Sequence, residues 1–139
     1  MIKYYIMHDT AYENCMTFYK KYIENINLQL DVIDYGSLDV NGSLKQIFQN
    51  HNYRGIDMIS GKNVDIVCIG DNIPINNNSV DVIVSSSAFE HDECFWMTFL
   101  EMCRIVKKDG YIYINSPSSG HYHGYPVDCW RFYADSWKA

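Results

Sequence analysis

The chain has 139 residues, enough for one hydrophobic core and at most one domain. Hydrophobic residues make up 47% and aromatics 15%, which argues against disorder, while the net charge of -6 opposes nonspecific binding to nucleic-acid phosphates. No apolar run approaches the ~18 residues of a membrane span, and the apolar start, Met1 to Met7, is cut off by His8 and Asp9 before it reaches signal-peptide length. The five cysteines form no C-x-x-C pair and read as reduced thiols of a cytoplasmic protein.

In chain order, Asp9 or Thr10 caps a helix expected over Ala11 to Asn25, with Tyr12, Cys15, Met16, Tyr19 and Ile23 at helical spacing. Leu30 to Asp34 reads as a first strand and Ser43 to Gln49 as a short helix. Tyr53 to Ile56 is a second strand and Val64 to Ile69 a third. Gly70 to Ser79 is a loop, and Val80 to Ser85 a fourth strand of buried type. Phe95, Trp96, Phe99, Leu100 and Cys103 mark a second helix, whose negative end suits Lys107 and Lys108. Asp109-Gly110 then turns the chain into a fifth strand, Tyr111 to Asn115. Strands alternating with helices call for a mostly parallel sheet with right-handed crossovers.

One juncture carries chemistry. The apolar run Val32-Ile33-Asp34 meets a loop bearing Gly36, and the strand Tyr53-Arg-Gly-Ile ends on a second carboxylate, Asp57. In a doubly wound α/β domain such a loop lets a ligand approach the backbone, and the acid after the second strand accepts hydrogen bonds from ribose hydroxyls. The pattern implies a nucleoside-bearing cofactor.

Five segments in register resemble the class I S-adenosylmethionine-dependent methyltransferases, in particular those with a Methyltransferase-11-type domain. They are Val-Ile-Asp-Tyr-Gly-Ser (32 to 37), Tyr-Arg-Gly-Ile-Asp (53 to 57), Gly-Asp-Asn-Ile-Pro-Ile (70 to 75), Val-Asp-Val-Ile-Val-Ser-Ser-Ser-Ala-Phe-Glu-His (80 to 91) and Glu-Met-Cys-Arg-Ile-Val-Lys-Lys-Asp-Gly-Tyr-Ile (101 to 112). Gly-Tyr-Pro-Val-Asp-Cys-Trp-Arg-Phe-Tyr (124 to 133) also resembles a segment of bacterial and viral members associated with glycan or cell-envelope modification. The glycine-rich loop departs from the family's Gly-x-Gly-x-Gly: here Gly36 is followed next by Gly42.

The resemblance implies a Rossmann-like doubly wound α/β sheet of five parallel strands, order 3-2-1-4-5. The family's usual sixth and seventh strands find no counterpart, which leaves the fifth strand as an exposed edge and a route to a homodimer. Residues 1–139 form a single cofactor-binding domain, with an N-terminal helical segment (1–28) and a substrate-side segment (117–139).

The expected cofactor is S-adenosylmethionine, leaving as S-adenosylhomocysteine. Its binding residues would be Asp34, Gly36 and Ser37 near the methionine part, Asp57 on the ribose, Met58 on the adenine face, Asp71 and Asn72 at the adenine edge, and Ser85 and Ser86 near the methyl donor. His91 is a candidate base, because imidazole titrates near neutrality, with His121 a second candidate. Glu90 reads as a helix-capping group as readily as a functional one. His123, Asp128 and Arg131 are the candidate substrate-side residues. His121-x-His123 with Asp128 and Cys129 offers no standard zinc spacing, so no metal is expected.

The resulting function is methyl transfer to an oxygen or nitrogen nucleophile of a small molecule or glycan, with no nucleic-acid or membrane partner. Two alternatives stand beside it. One is a non-catalytic accessory subunit that binds the cofactor. The other is a nicotinamide-dinucleotide oxidoreductase, which the absence of G-x-G-x-x-G disfavours.

Overall fold

The computed structural model describes residues 9–139, so the reading of Met1 to Met7 lies outside the described residues. Five strands, β1 (Asp31–Tyr35), β2 (Asn52–Asp57), β3 (Ile66–Val67), β4 (Val80–Ser86) and β5 (Val106–Asn115), form one sheet in the order β3-β2-β1-β4-β5. Every neighbouring pair runs parallel. Two α-helices, α1 (Asp9–Tyr22) and α2 (Phe95–Ile105), cover opposite faces. This is the expected Rossmann-like arrangement.

The alternation of side chains along β1 and β4 explains the two faces. Val32, Val82 and Val84 point to the α1 side, where they meet Cys15, Ile23, Leu44 and Phe48. Ile33 and Ile83 point to the α2 side and meet Phe89, Met102, Ile105 and Phe132, joined by Val80 because the register shift between Val80 and Val82 breaks the alternation there. Central strands buried on both faces read as continuous apolar runs, as Val80 to Val84 does apart from Asp81. Phe18 of α1 also packs on Tyr111 and Tyr113, covering one face of β5. The outer edge of β5 pairs with no strand among the described residues.

Three expected elements take a different form. The segment after the first loop is a 3-10 helix over Leu44–Gln46, because its bonds close at three residues: Ile47 N donates to Leu44 O and Phe48 N to Lys45 O. The third strand shrinks to Ile66–Val67 at the sheet edge, although Asp65 N and Cys68 N still donate to Gly55 O and Asp57 O. The turn at Asp109-Gly110 becomes a bulge inside β5: Val106 pairs with Val80 and Tyr111 with Val82, so the four residues between stand opposite Asp81 alone. Lys107 extends from that bulge to Asp81, 2.7 Å away, rather than capping α2.

The loop after β3 is fastened to α2 by one side chain. Arg104 binds Glu101 through Nε and Nη2 (both 2.7 Å) and donates to the carbonyls of Ile73 and Ile75 (2.8 Å each) and to Asn77 Oδ1 (2.7 Å). Glu101 completes the clasp by accepting from Ile73 N at 3.0 Å. Arg104→Ala is expected to lower stability by about 1–3 kcal/mol in urea denaturation, since it strands several charge-assisted partners at once. Lys138→Ala, which removes an exposed 3.5 Å pair, is expected to change nothing measurable.

Candidate functional site

At the carboxyl ends of the strands the sheet opens into a cleft of about 670 Å³. Open parallel sheets place ligands at this end, in the crevice where the strand order reverses. Here the reversal falls between β1 and β4. A second recess, about 990 Å³, lies at the opposite end beside Leu30, Asp81, Lys107 and Tyr111. Of its charged groups, Asp81 and Lys107 already neutralise one another.

The chain leaves β1 through Gly36, whose φ of +79° suits glycine, and whose missing Cβ would lie 2.4 Å from the Ala88 Cβ. From there Gly36 N and Ser37 N both donate to Ile56 O (2.9 and 3.0 Å), carrying the loop across the end of β2. This brings Leu38 N within 3.1 Å of Asp57 Oδ2, while Ile59 N donates to Oδ1 at the same distance. Both carboxylate oxygens are thereby oriented, and each keeps acceptor capacity for a ligand. Farther along the loop, Gly42 N donates to Asp39 Oδ1 (2.9 Å), and Lys62 pairs with Asp39 at 2.6 Å. The long Gly36–Gly42 loop thus carries its own turn.

Asp34, Gly36, Ser37, Asp57, Met58, Asp71 and Ser86 all line the cleft. Asp34 is 4% exposed and accepts a hydrogen bond from the Tyr53 hydroxyl. Burial pushes its carboxyl up to about 7, against the lowering effect of Tyr53, and the nearby Asp57 adds to the rise. The Ser37 hydroxyl is committed to Asn63 O at 3.0 Å, so this residue braces the loop through its side chain. Ser86 Oγ accepts from Asn115 Nδ2 at 3.3 Å.

Asn72 and Ser85 do not line the cleft among the described residues. Ser85 points to the α2 face, where its hydroxyl is buried without a partner, while its backbone pairs with Tyr35 and Ile114. Asn72 is exposed beyond the turn. Residues not anticipated from sequence also contribute: Ile59 and Ile69 join Met58 in the wall, exposed at 45%, 59% and 56%. Met58 and Ile59 follow the carboxylate that ends β2, and Ile69 lies just beyond the end of β3; position after a strand end was the available signal. Gly70 lies between the Thr98 and Tyr35 hydroxyls, where a Cβ would meet them at 2.0 and 2.4 Å.

At the other side of the mouth stand His91 and His123, ring centroids 5.0 Å apart and nearly perpendicular. His91 Nδ1 is 2.6 Å from Val127 O and donates to it, so the ring is oriented with Nε2 as its remaining nitrogen. Behind it, Glu90 is 1% exposed and accepts from Ser116 Oγ at 3.1 Å. Burial raises its carboxyl above the ordinary range, while His91, Ser116 and His123 pull the other way. The 3-10 turn Phe89–His91 also anchors the C-terminal segment, since the Glu90 carbonyl accepts from Cys129 N and Trp130 N.

Asp128 and Arg131 do not line the cleft among the described residues. They face each other in a two-pronged ion pair (2.5 and 2.7 Å), which holds the Asp128 carboxyl well below the usual range. Asp128 also accepts from His123 N (2.7 Å), and Arg131 donates to His121 O (3.0 Å). The pair shapes the turn that carries His123, with His121 on its exposed outer side and outside the cleft lining.

These features coincide with a known family. Residues 28–114 match the family model described as a methyltransferase domain, Methyltransf_11. The chain belongs to this family of class I S-adenosylmethionine-dependent methyltransferases. No curated protein sequence matches the chain. Among solved structures it is similar to a SAM-dependent methyltransferase from Archaeoglobus fulgidus, at 16% identity and a TM-score of 0.64, over 91% of this chain and 65% of that one. It is also similar to the YcgJ protein from Bacillus subtilis, at 16% identity and a TM-score of 0.63, over 80% of this chain and 52% of that one. A third is the Haemonchus contortus phosphoethanolamine N-methyltransferase 2 in complex with phosphomonomethylethanolamine and S-adenosylhomocysteine, at 18% identity and a TM-score of 0.59, over 79% of this chain and 29% of that one. The chain spans less than two thirds of the length of each. No helix among the described residues is long and apolar enough to cross a membrane.

The Asp34 carboxyl gives a pH test. In the unfolded chain it ionises near 3.8, and in the fold it holds its proton to about 7, so the folded state binds more protons between these values. Its contribution is therefore complete below the unfolded value and is lost as pH rises toward the folded one. Asp34→Asn is expected to remove this slope. Between about pH 4 and pH 7, wild type should lose roughly 2–4 kcal/mol relative to the variant in denaturant titrations, and parallel curves would contradict the burial argument.

Proposed function

We propose that the cleft binds S-adenosylmethionine and that the protein moves its methyl group to an oxygen or nitrogen nucleophile of a small molecule or glycan. The observation that carries this reading is Asp57, ending β2 with both oxygens oriented by Leu38 N and Ile59 N and directed into the cleft wall. The surrounding residues fit the cofactor's parts. Gly36 lines the cleft with backbone alone, in a turn where a Cβ would run into Ala88. Met58, Ile59 and Ile69 offer an exposed apolar surface for a flat base, and the exposed Asp71 an acceptor for its exocyclic amine. Asp34 lies near the site expected for the methionine ammonium, and a cation there would favour its ionised form. Ser86 completes that end of the wall.

When bound, S-adenosylmethionine supplies a sulfonium methyl that is already electrophilic. The chain's own task is then to position the acceptor in line with it and to exclude water, since orientation alone accounts for much of such a rate. His91 fits the role of base for an acceptor hydroxyl: it stands at the mouth with its ring fixed by the bond from Nδ1 to Val127 O, which leaves Nε2 as the nitrogen that would take the proton. Tyr125, half exposed in the cleft lining, presents a ring to an acceptor with a flat apolar face, such as a sugar. His123 lies beside it, while Asp128 and Arg131 support the turn from behind.

Calorimetric titration of S-adenosylhomocysteine into the protein tests the reading. Binding in the micromolar range is expected, weakened about 10–100-fold in Asp57→Ala through the loss of charge-assisted bonds to the ribose. NAD is expected not to bind. Absence of S-adenosylhomocysteine binding by the folded protein would overturn the proposal, and NAD binding in its place would favour an oxidoreductase.

A further inference from the structure

At the acceptor side of the cleft, one ligand atom each from Glu90, His91 and His123 lies within 4.8 Å of the others. A buried carboxylate and two imidazoles form a donor set suited to borderline divalent metals. Each member is oriented by a second contact of the kind that surrounds metal ligands. His91 Nδ1 donates to Val127 O (2.6 Å), His123 Nδ1 lies 3.0 Å from His121 O, and Glu90 accepts from Ser116 Oγ (3.1 Å). These contacts occupy Nδ1 of both rings and leave the two Nε2 atoms as the available donors.

A simple ion pair is a poor account of the cluster. His91 Nε2 and Glu90 Oε1 are 3.9 Å apart, beyond hydrogen-bond distance. Among the described residues, the Glu90 side chain takes no bond from the C-terminal segment beyond Ser116 Oγ; Cys129 N and Trp130 N donate to its backbone carbonyl instead. The nearby guanidinium of Arg131 is neutralised by Asp128. Donors around a tetrahedral zinc-like ion, with bonds of ~2.0–2.1 Å, stand roughly 3.4 Å apart, so the three must draw together. His123, its side chain 53% exposed on a turn and held at Nδ1 by His121 O and, at 3.4 Å, Asp128 Oδ2, makes that adjustment at the surface rather than in the core.

We propose that Glu90, His91 and His123 form a three-ligand site for a divalent transition-metal ion of the zinc class, open toward the cleft. His91 and His123 line the cleft, so the vacant coordination positions face the place an acceptor would occupy. An acceptor hydroxyl bound there becomes a stronger acid, and the ion takes over the activation that His91 alone would otherwise provide. This catalytic consequence rests on the methyl-transfer reading; the binding of metal does not. Sequence spacing conceals the site because Glu90-His91 and His123 come from separate loops.

The test is titration of the metal-free, reduced protein with cobalt(II), followed by its visible ligand-field absorption, and with zinc(II) by calorimetry, both without S-adenosylhomocysteine. One ion per chain is expected, with affinity reduced at least about tenfold in His123→Ala and in Glu90→Gln and unchanged in His121→Ala. Because His123 is exposed, its variant should fold, and an unchanged circular dichroism spectrum checks this. No binding by wild type, or equal binding by His123→Ala, would overturn the site; the latter would point to the exposed cysteines. S-adenosylhomocysteine binding without metal binding would overturn the metal site alone. Metal binding without S-adenosylhomocysteine binding would leave the ion site standing and remove its proposed catalytic use.

Discussion

The two hydrogen bonds from Gly36 N and Ser37 N to Ile56 O fix the path on which the cleft depends. They require the chain to turn sharply out of β1, and the turn requires a residue with positive φ and no Cβ against Ala88. Once the loop crosses the end of β2, Leu38 N reaches Asp57, and a carboxylate at a strand end becomes an oriented acceptor. A side chain at position 36 would disturb the chain leaving β4 as well as the loop, since Ala88 lies two residues past the end of β4. Fold and site share one constraint here.

The rest of the cleft is assembled from loops tied back to the two layers. Arg104 and Glu101 hold the loop after β3 on α2, which keeps Gly70 and Asp71 at the mouth. The irregular C-terminal segment is held in two ways: the Glu90 carbonyl takes Cys129 N and Trp130 N, and Phe132 inserts among Phe89, Phe95 and Trp137. Its inner turn then brings His123 and Tyr125 over the strand ends. The Asp57 side of the cleft is thus built on strands, whereas the His123 side is built on a loop clamped by one buried turn.

The parallel sheet and the burial of β1 and β4 were legible in the sequence, because parallel central strands are written as apolar runs and strand-helix alternation restricts the topology, while the strand order came from the family resemblance. Gly36 and Asp57 were legible for the same reason: both sit at strand ends, and each has a residue type that a ligand-facing turn demands. What periodicity cannot show is where a polar side chain spends its charge. Asp128 and Arg131 read as substrate-facing groups, yet they bind each other, and Ser85 faces the α2 layer rather than the cleft. Lys107 to Gly110 has the composition of a turn, and only pairing with β4 reveals a bulge. The Glu90, His91 and His123 grouping arises from the folding of the C-terminal segment, a contact with no spacing rule.

The central claim is that the carboxyl ends of β1, β2 and β4 form the nucleoside cofactor site. The most direct measurement is a two-dimensional amide NMR titration of the isotopically labelled protein with S-adenosylhomocysteine. Saturable shifts are predicted at Gly36, Leu38, Met58, Ile59 and Asp71, with the amides around Asp81 and Lys107 at the far end of the sheet left in place. Shifts confined to that far end, or an unchanged spectrum from a well-folded sample, would contradict the account.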